Sequence, residues 1–208
     1  PQALKPHPSA LKSHPSALKP HPSSLTSQVS SLTSQVSSLT SYPMHLPNDK
    51  LLTIEQAIQA REALRAEGKT MVLTNGCFDL LHVGHISYLQ EAKKLGDELW
   101  VLINSDTSVK ALKGPDRPIE TEAERAYCLA ALNCIDRVVV FENPRITEEI
   151  KLLKPDIYTK AGDYTIETLH QGERAAFETV GAQIKFLPFL EGFSTTKMIA
   201  KIHKAGSL

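Results

Sequence analysis

From residue 53 onward, short apolar runs alternate with amphipathic stretches, a strand pattern followed by a helix pattern, five times over. Few folds accept that alternation. Each crossover is right-handed, the strands run parallel, and helices must cover both faces of the sheet. The pattern therefore predicts an α/β, Rossmann-like parallel five-stranded sheet with helices on both faces. Strands are expected at 70–75, 98–104, 136–141, 156–160 and 183–187. Helices are expected at 84–95, from 121 to about 133, at 146–153, near 172–180 and from about 195. A further helix precedes the first strand, opened by Thr53 with Gln56 at capping-box spacing and closed by Gly68. In such sheets ligands sit beyond the carboxyl ends of the strands, where the topology switches, so function is sought in the loops that follow strands.

With 208 residues the chain has room for one such domain and an appendage. The appendage is residues 1–43, and the domain is residues 44–208. Residues 3–44 read as six heptads, from ALKPHPS to SLTSYPM. Proline breaks any helix in the first three copies, and the serine- and threonine-rich later ones carry too little apolar surface to offset ordering entropy. A disordered N-terminal repeat tail is expected, with the working protein starting near Met44, the first methionine. The longest apolar stretches, such as 135–141, fall short of the ~20 residues of a membrane span. No secretory signal is visible, and Cys77, Cys128 and Cys134 show no CxxC spacing, which suits free thiols in the cytoplasm. Beyond the tail, 20 basic residues face 23 acidic ones, which leaves no electrostatic footprint for nucleic acid.

The loop after the first long strand reads Gly76-Cys77-Phe78-Asp79-Leu80-Leu81-His82-Val83-Gly84-His85. Gly84 suits a tight turn and close approach to a ligand. His85 falls in the first turn of the next helix, where free N–H groups and the dipole favour an anion, and His82 can point to the same spot. Spacing alone leaves a structural role open for either ring. The HxxH spacing could also ligate a metal, but no third ligand lies at a sensible distance, and no protein-held metal is expected. A dinucleotide-dependent oxidoreductase is excluded, because no GxGxxG follows the strand. Asp79 is read as structural, fixing the loop through hydrogen bonds. Further on, Lys110, Lys113 and Arg117 stand in VKALKGPDRPI, with Arg125 one or two turns into the next helix, a grouping that suits an anion clamp. Ser194 can cap the last helix, with Thr195 and Thr196 beside it.

GCFDLLHVGH resembles the first signature of the HxGH nucleotidyltransferase superfamily, which includes cytidylyltransferases and pantetheine-phosphate adenylyltransferase. GFSTT resembles its second. The likeness implies that His82 and His85 stabilise charge on the α-phosphate of a nucleoside triphosphate, with Lys113 counted among the catalytic groups. It implies nucleotide contacts from Asn75, Gly76, Cys77, Phe78, Gly84, His85, Lys160, Gly162, Asp163, Ser194, Thr195 and Thr196, and a pocket shaped by Lys160 to Tyr164. Lys110, Lys113, Arg117 and Arg125 would meet the second substrate's phosphate. KGPDRPI, ERAYCLAAL, VVVFENP and KPDIYTKAGDY narrow the resemblance, which runs from about Thr53 to Ile202, to the adenylyltransferases that make ADP-heptose from D-glycero-β-D-manno-heptose 1-phosphate. The implied partners are ATP and a sugar 1-phosphate, with Mg2+ carried mainly by the triphosphate. Two alternatives stay open: CTP with glycerol 3-phosphate or a similar alcohol phosphate, and a silent nucleotide-binding module. Dimers are common among relatives, so a homodimer is also open.

Overall fold

The computed structural model describes residues 49–162, 164–188, 190 and 192–206. The repeat tail and Met44 lie outside the described residues. Six parallel strands form one sheet: β1 (Leu51–Leu52), β2 (Met71–Gly76), β3 (Glu98–Asn104), β4 (Arg137–Phe141), β5 (Ile157–Ala161) and β6 (Gln183–Leu187), in the order β1-β4-β3-β2-β5-β6. The helices are α1 (Ile54–Ala66), α2 (Val83–Lys93), α3 (Asp106–Lys113), α4 (Glu122–Ala130), α5 (Thr147–Leu153), α6 (Gln171–Val180) and α7 (Thr195–Ala205).

All five expected strands form within a residue of their expected bounds. The sixth, β1, corrects the strand count. It is only two residues long, too short for any periodicity, and it forms because Leu51 and Leu52 pair with Val138 and Val139 at the sheet edge. The second correction is α3, which is absent from the helices expected above. Ser105 caps it through Ser108 N–H, Asp106 favours its first turn, and Gly114, at φ 101°, ends it.

β3 shows why the sheet must be covered twice. Leu99, Val101 and Ile103 point to one face with Leu89 of α2 and Leu129 of α4. Trp100 and Leu102 point to the other, with Ile150 of α5 and Phe177 of α6. A strand buried on both sides reads as a continuous apolar run, and ELWVLIN is one. The helix starts follow their caps: Thr53 with Gln56, and Thr121 with Glu124, form reciprocal capping boxes.

Candidate active site

From central β2 the chain winds outward through β3 and β4, then crosses to β5 on the other side of β2. The carboxyl ends of β2 and β5 therefore flank the switch point, where a crevice must open. A cleft of about 540 Å³ lies there. Its lining includes Asn75 and Gly76 at the end of β2, Cys77 and Phe78 just after it, both histidines, Lys113, Arg117, Lys160 and Ser194 to Thr196. A smaller hollow of about 180 Å³ shares Asn75, His85 and Lys160 and runs inward to Tyr88.

The loop between β2 and α2 is built around unusual backbone. Phe78 (φ 46°) and Leu80 (φ 54°) both occupy the left-handed region, at a cost of about 1–3 kcal/mol each. Asp79, 2% exposed between them, offsets that strain. Its carboxylate accepts from Ile119 N–H (2.9 Å), Glu120 N–H (3.0 Å) and Arg117 Nε (2.6 Å). Burial alone would raise its pKa, but the two amides and the guanidinium outweigh burial and hold it below the usual carboxylate value. Gly84 is buried in the first turn of α2, and the positive-φ glycines do not include it, so the tight turn expected there lies at Phe78 and Leu80 instead.

His82 caps α2: its Nδ1 accepts from the backbone N–H of His85 at 3.4 Å. An accepting Nδ1 on a neutral ring places the proton on Nε2, an assignment made from the hydrogen bond. The two imidazoles stack with centroids 3.9 Å apart and an interplanar angle of 19°, and Phe78 leans on His85 at 5.5 Å. Burial lowers the pKa of His82. Burial, then the neighbouring His82, pushes His85 down to about 4. Two neutral rings so placed offer N–H donors to an anion at neutral pH. The anion's own charge would then favour their protonation.

The cations divide into those that reach the cleft and those that do not. Lys113 and Arg117 line it, as does Lys160, whose Nζ donates to Asn75 Oδ1 at 3.2 Å and lies 5.1 Å from the Tyr164 ring centroid. Burial lowers the pKa of Lys160, against the pull of Glu173. Arg125, expected at the substrate phosphate, is a correction: it is fully buried. Its guanidinium donates to Glu120 O, Cys77 O and Asn104 O and pairs with Asp106 at 2.8 Å, so it ties the ends of β2 and β3 together. Lys110 is exposed on α3 and is not part of the cleft lining, because Lys113 lies three residues nearer the cleft end of the helix. Asn104 and Arg145 do line the cleft, though no sequence motif marked them. Their only signal was position, each at or just past the carboxyl end of a strand.

The second tip is α7. Ser194 caps it, with Oγ accepting from Lys197 N–H at 3.2 Å. Thr195 Oγ1 donates to Asp79 O at 2.8 Å, which draws this tip onto the strained loop beside the histidines. Gly162, at φ 96°, turns the chain out of β5, and its N–H donates to Leu187 O. Asp163 lies outside the described residues.

A helix-tip pair facing one cation-lined cleft at the switch point is the arrangement of a nucleotidyltransferase. The family model described as Cytidylyltransferase-like matches residues 73–201, and the chain belongs to that family. Over 158 residues it is 48% identical to the bifunctional protein HldE of Syntrophotalea carbinolica, a match covering 73% of this chain and 32% of that protein. Over 144 residues it is 50% identical to the bifunctional protein HldE of Geobacter metallireducens, covering 69% and 29%. The chain thus spans about a third of the length of these relatives. Among solved structures, the lipopolysaccharide core biosynthesis protein from Thermoplasma volcanium GSS1 matches at 32% identity and a TM-score of 0.49, over 59% of this chain and 98% of that one. No helix among the described residues is long and apolar enough to cross a membrane.

Proposed function

We propose that this chain transfers AMP from ATP to D-glycero-β-D-manno-heptose 1-phosphate, releasing pyrophosphate and giving ADP-heptose for lipopolysaccharide core synthesis. The observation that carries the reading is the stacked His82–His85 pair opening into the same cleft as Ser194, Thr195 and Thr196. The substrate choice rests on the resemblance of KGPDRPI, KPDIYTKAGDY and GFSTT to the ADP-heptose-forming adenylyltransferases.

In the reaction a phosphate oxygen of the sugar 1-phosphate attacks the α-phosphorus of ATP in line. The new O–P bond forms as the bond from the α-phosphorus to the bridging oxygen breaks, and pyrophosphate leaves with that electron pair. The nucleophile is already an anion, so no general base is needed. What remains is positioning and neutralisation of charge. His82 and His85 donate to the α-phosphate oxygens. The free N–H groups and hydroxyls of the α7 tip take the departing β- and γ-phosphates, and Lys113 and Arg117 hold the sugar phosphate. The described cleft lining offers cations, amides and hydroxyls but no carboxylate. Mg2+ would therefore be carried mainly by the nucleotide rather than by this lining, and would supply neutralisation of the triphosphate's charge.

The test is pyrophosphate release with ATP and with CTP, each against a panel of sugar 1-phosphates and polyol phosphates. The reading expects turnover with ATP and the heptose 1-phosphate. Turnover with CTP and glycerol 3-phosphate alone would replace both substrates and keep the chemistry.

A further inference from the structure

Glu173 is 2% exposed, in the first turn of α6, on a helix the reaction does not otherwise use. Burying a carboxylate costs several kcal/mol unless something compensates. Among the described residues its side chain accepts one hydrogen bond, from the backbone N–H of Ile146 at 3.3 Å, and no lysine or arginine pairs with it directly. Ile146 follows Arg145, and Pro144 and Arg145 both line the cleft. Glu173 thus grips the loop that presents a cation to the ligand. Its charge also acts on β5. It is the largest electrostatic influence favouring the charged form of Lys160, whose other charged and titratable neighbours are Arg145, Cys77 and Lys113, with the Tyr164 ring against its ammonium. Lys160 and Tyr158 both donate to Asn75 Oδ1, at 3.2 and 2.8 Å, so the group is wired to the end of β2.

We propose that Glu173 is a positioning residue of the nucleotide cleft: it fixes the Arg145 loop through Ile146 N–H and sets a negative charge behind Lys160, so that both cations meet the triphosphate from fixed places. The inference rests on the reading of this cleft as the nucleotide site. It extends the site to a residue on α6 that touches no substrate.

Glu173→Gln keeps an acceptor for Ile146 N–H and removes the charge, whereas Glu173→Ala removes both. Calorimetric titration with Mg2+ and the nucleoside triphosphate, together with kcat/KM from pH 6 to 10, separates the roles. For Glu173→Gln we expect triphosphate affinity to weaken about five- to tenfold, as loss of one buried charge near the site implies. The alkaline limb of kcat/KM should move to lower pH, because Lys160 then loses its proton sooner. Glu173→Ala should weaken binding further. Should Glu173→Ala fail to fold, Glu173→Gln still decides. A Glu173→Gln protein with wild-type affinity and an unmoved alkaline limb, whatever its melting temperature, overturns the proposal and leaves Glu173 a packing residue. If the wild-type protein binds no triphosphate, the reading of the cleft fails first, and this inference with it.

Discussion

The two helix tips that meet at the cleft are capped alike and anchored very differently. At α2, His82 caps at 3.4 Å, and Gly84, Tyr88, Leu89 and Ala92 are buried in the core behind it. At α7, Ser194 caps at 3.2 Å, but the helix buries no residue, and a hydrogen bond from Thr195 Oγ1 to Asp79 O ties its tip to the domain. One tip is backed by the core against the sheet, and the other touches the loop of the first through that hydrogen bond. The contrast suits the proposed reaction, in which the α-phosphorus must stay still while pyrophosphate departs: the fixed tip would face the reacting atom and the lightly packed one the leaving group.

The comparison can be broken most sharply at Arg125, which braces the anchored side. Arg125→Ala leaves Asp106 and three carbonyls without their buried donor, and denaturant unfolding should show a loss of about 3–5 kcal/mol. A loss below 1 kcal/mol would mean that the strand ends hold without it. His85→Ala should instead spare stability and lower kcat by about 10²–10³-fold in steady-state assays, since it removes a donor to the reacting phosphate. At the lightly packed tip, Ser194→Ala should cost about 1 kcal/mol of capping and raise KM for the triphosphate more than it lowers kcat. If Ser194→Ala and His85→Ala changed kcat equally, the division of labour between the tips would be wrong.

Protonation sharpens the same contrast. Burial pushes His85 down to about 4 from the ordinary 6.5, so the ring binds its proton more readily in the unfolded chain. Stability should therefore rise with pH across that window, and thermal unfolding should occur at lower temperature as pH falls from 6.5 toward 4. His85→Gln should flatten this slope, and an unchanged slope would show that the ring is not buried as a neutral group. The smallest effect is in native-state hydrogen exchange, where amides of α7 should exchange faster than those of α2.

The enzyme class was legible through the resemblance of GCFDLLHVGH and GFSTT to the superfamily's two signatures, whereas the five main strands were legible because they rest on local pattern, continuous apolar runs for strands buried on both faces. The two histidines were legible for the same reason, since a strand, a loop and a helix in sequence bring them together without help from distant residues. Arg125 was misread because its partners, Cys77 O and Asn104 O, lie 48 and 21 residues away in sequence, and a buried arginine satisfied by carbonyls looks no different in sequence from an exposed one. α3 was missed because eight residues ending at Gly114 and Pro115 offer little period to read. Arg145, Asn104 and Glu173 needed the tertiary packing itself, which brings the ends of β3 and β4 to one cleft and joins the loop after β4 to the start of α6. Asp79 is the instructive middle case. Its structural role was expected from the loop, but its service to Arg117, Ile119, Glu120 and, through its carbonyl, Thr195 appears only when the two tips stand together.

The most direct measurement is a crystal structure with Mg2+ and a triphosphate analogue that cannot be cleaved between the α- and β-phosphates. The α-phosphate should lie within hydrogen-bond distance of His82 and His85, with the β- and γ-phosphates on the backbone of Ser194 to Thr196. A triphosphate bound with either helix tip empty would contradict the account.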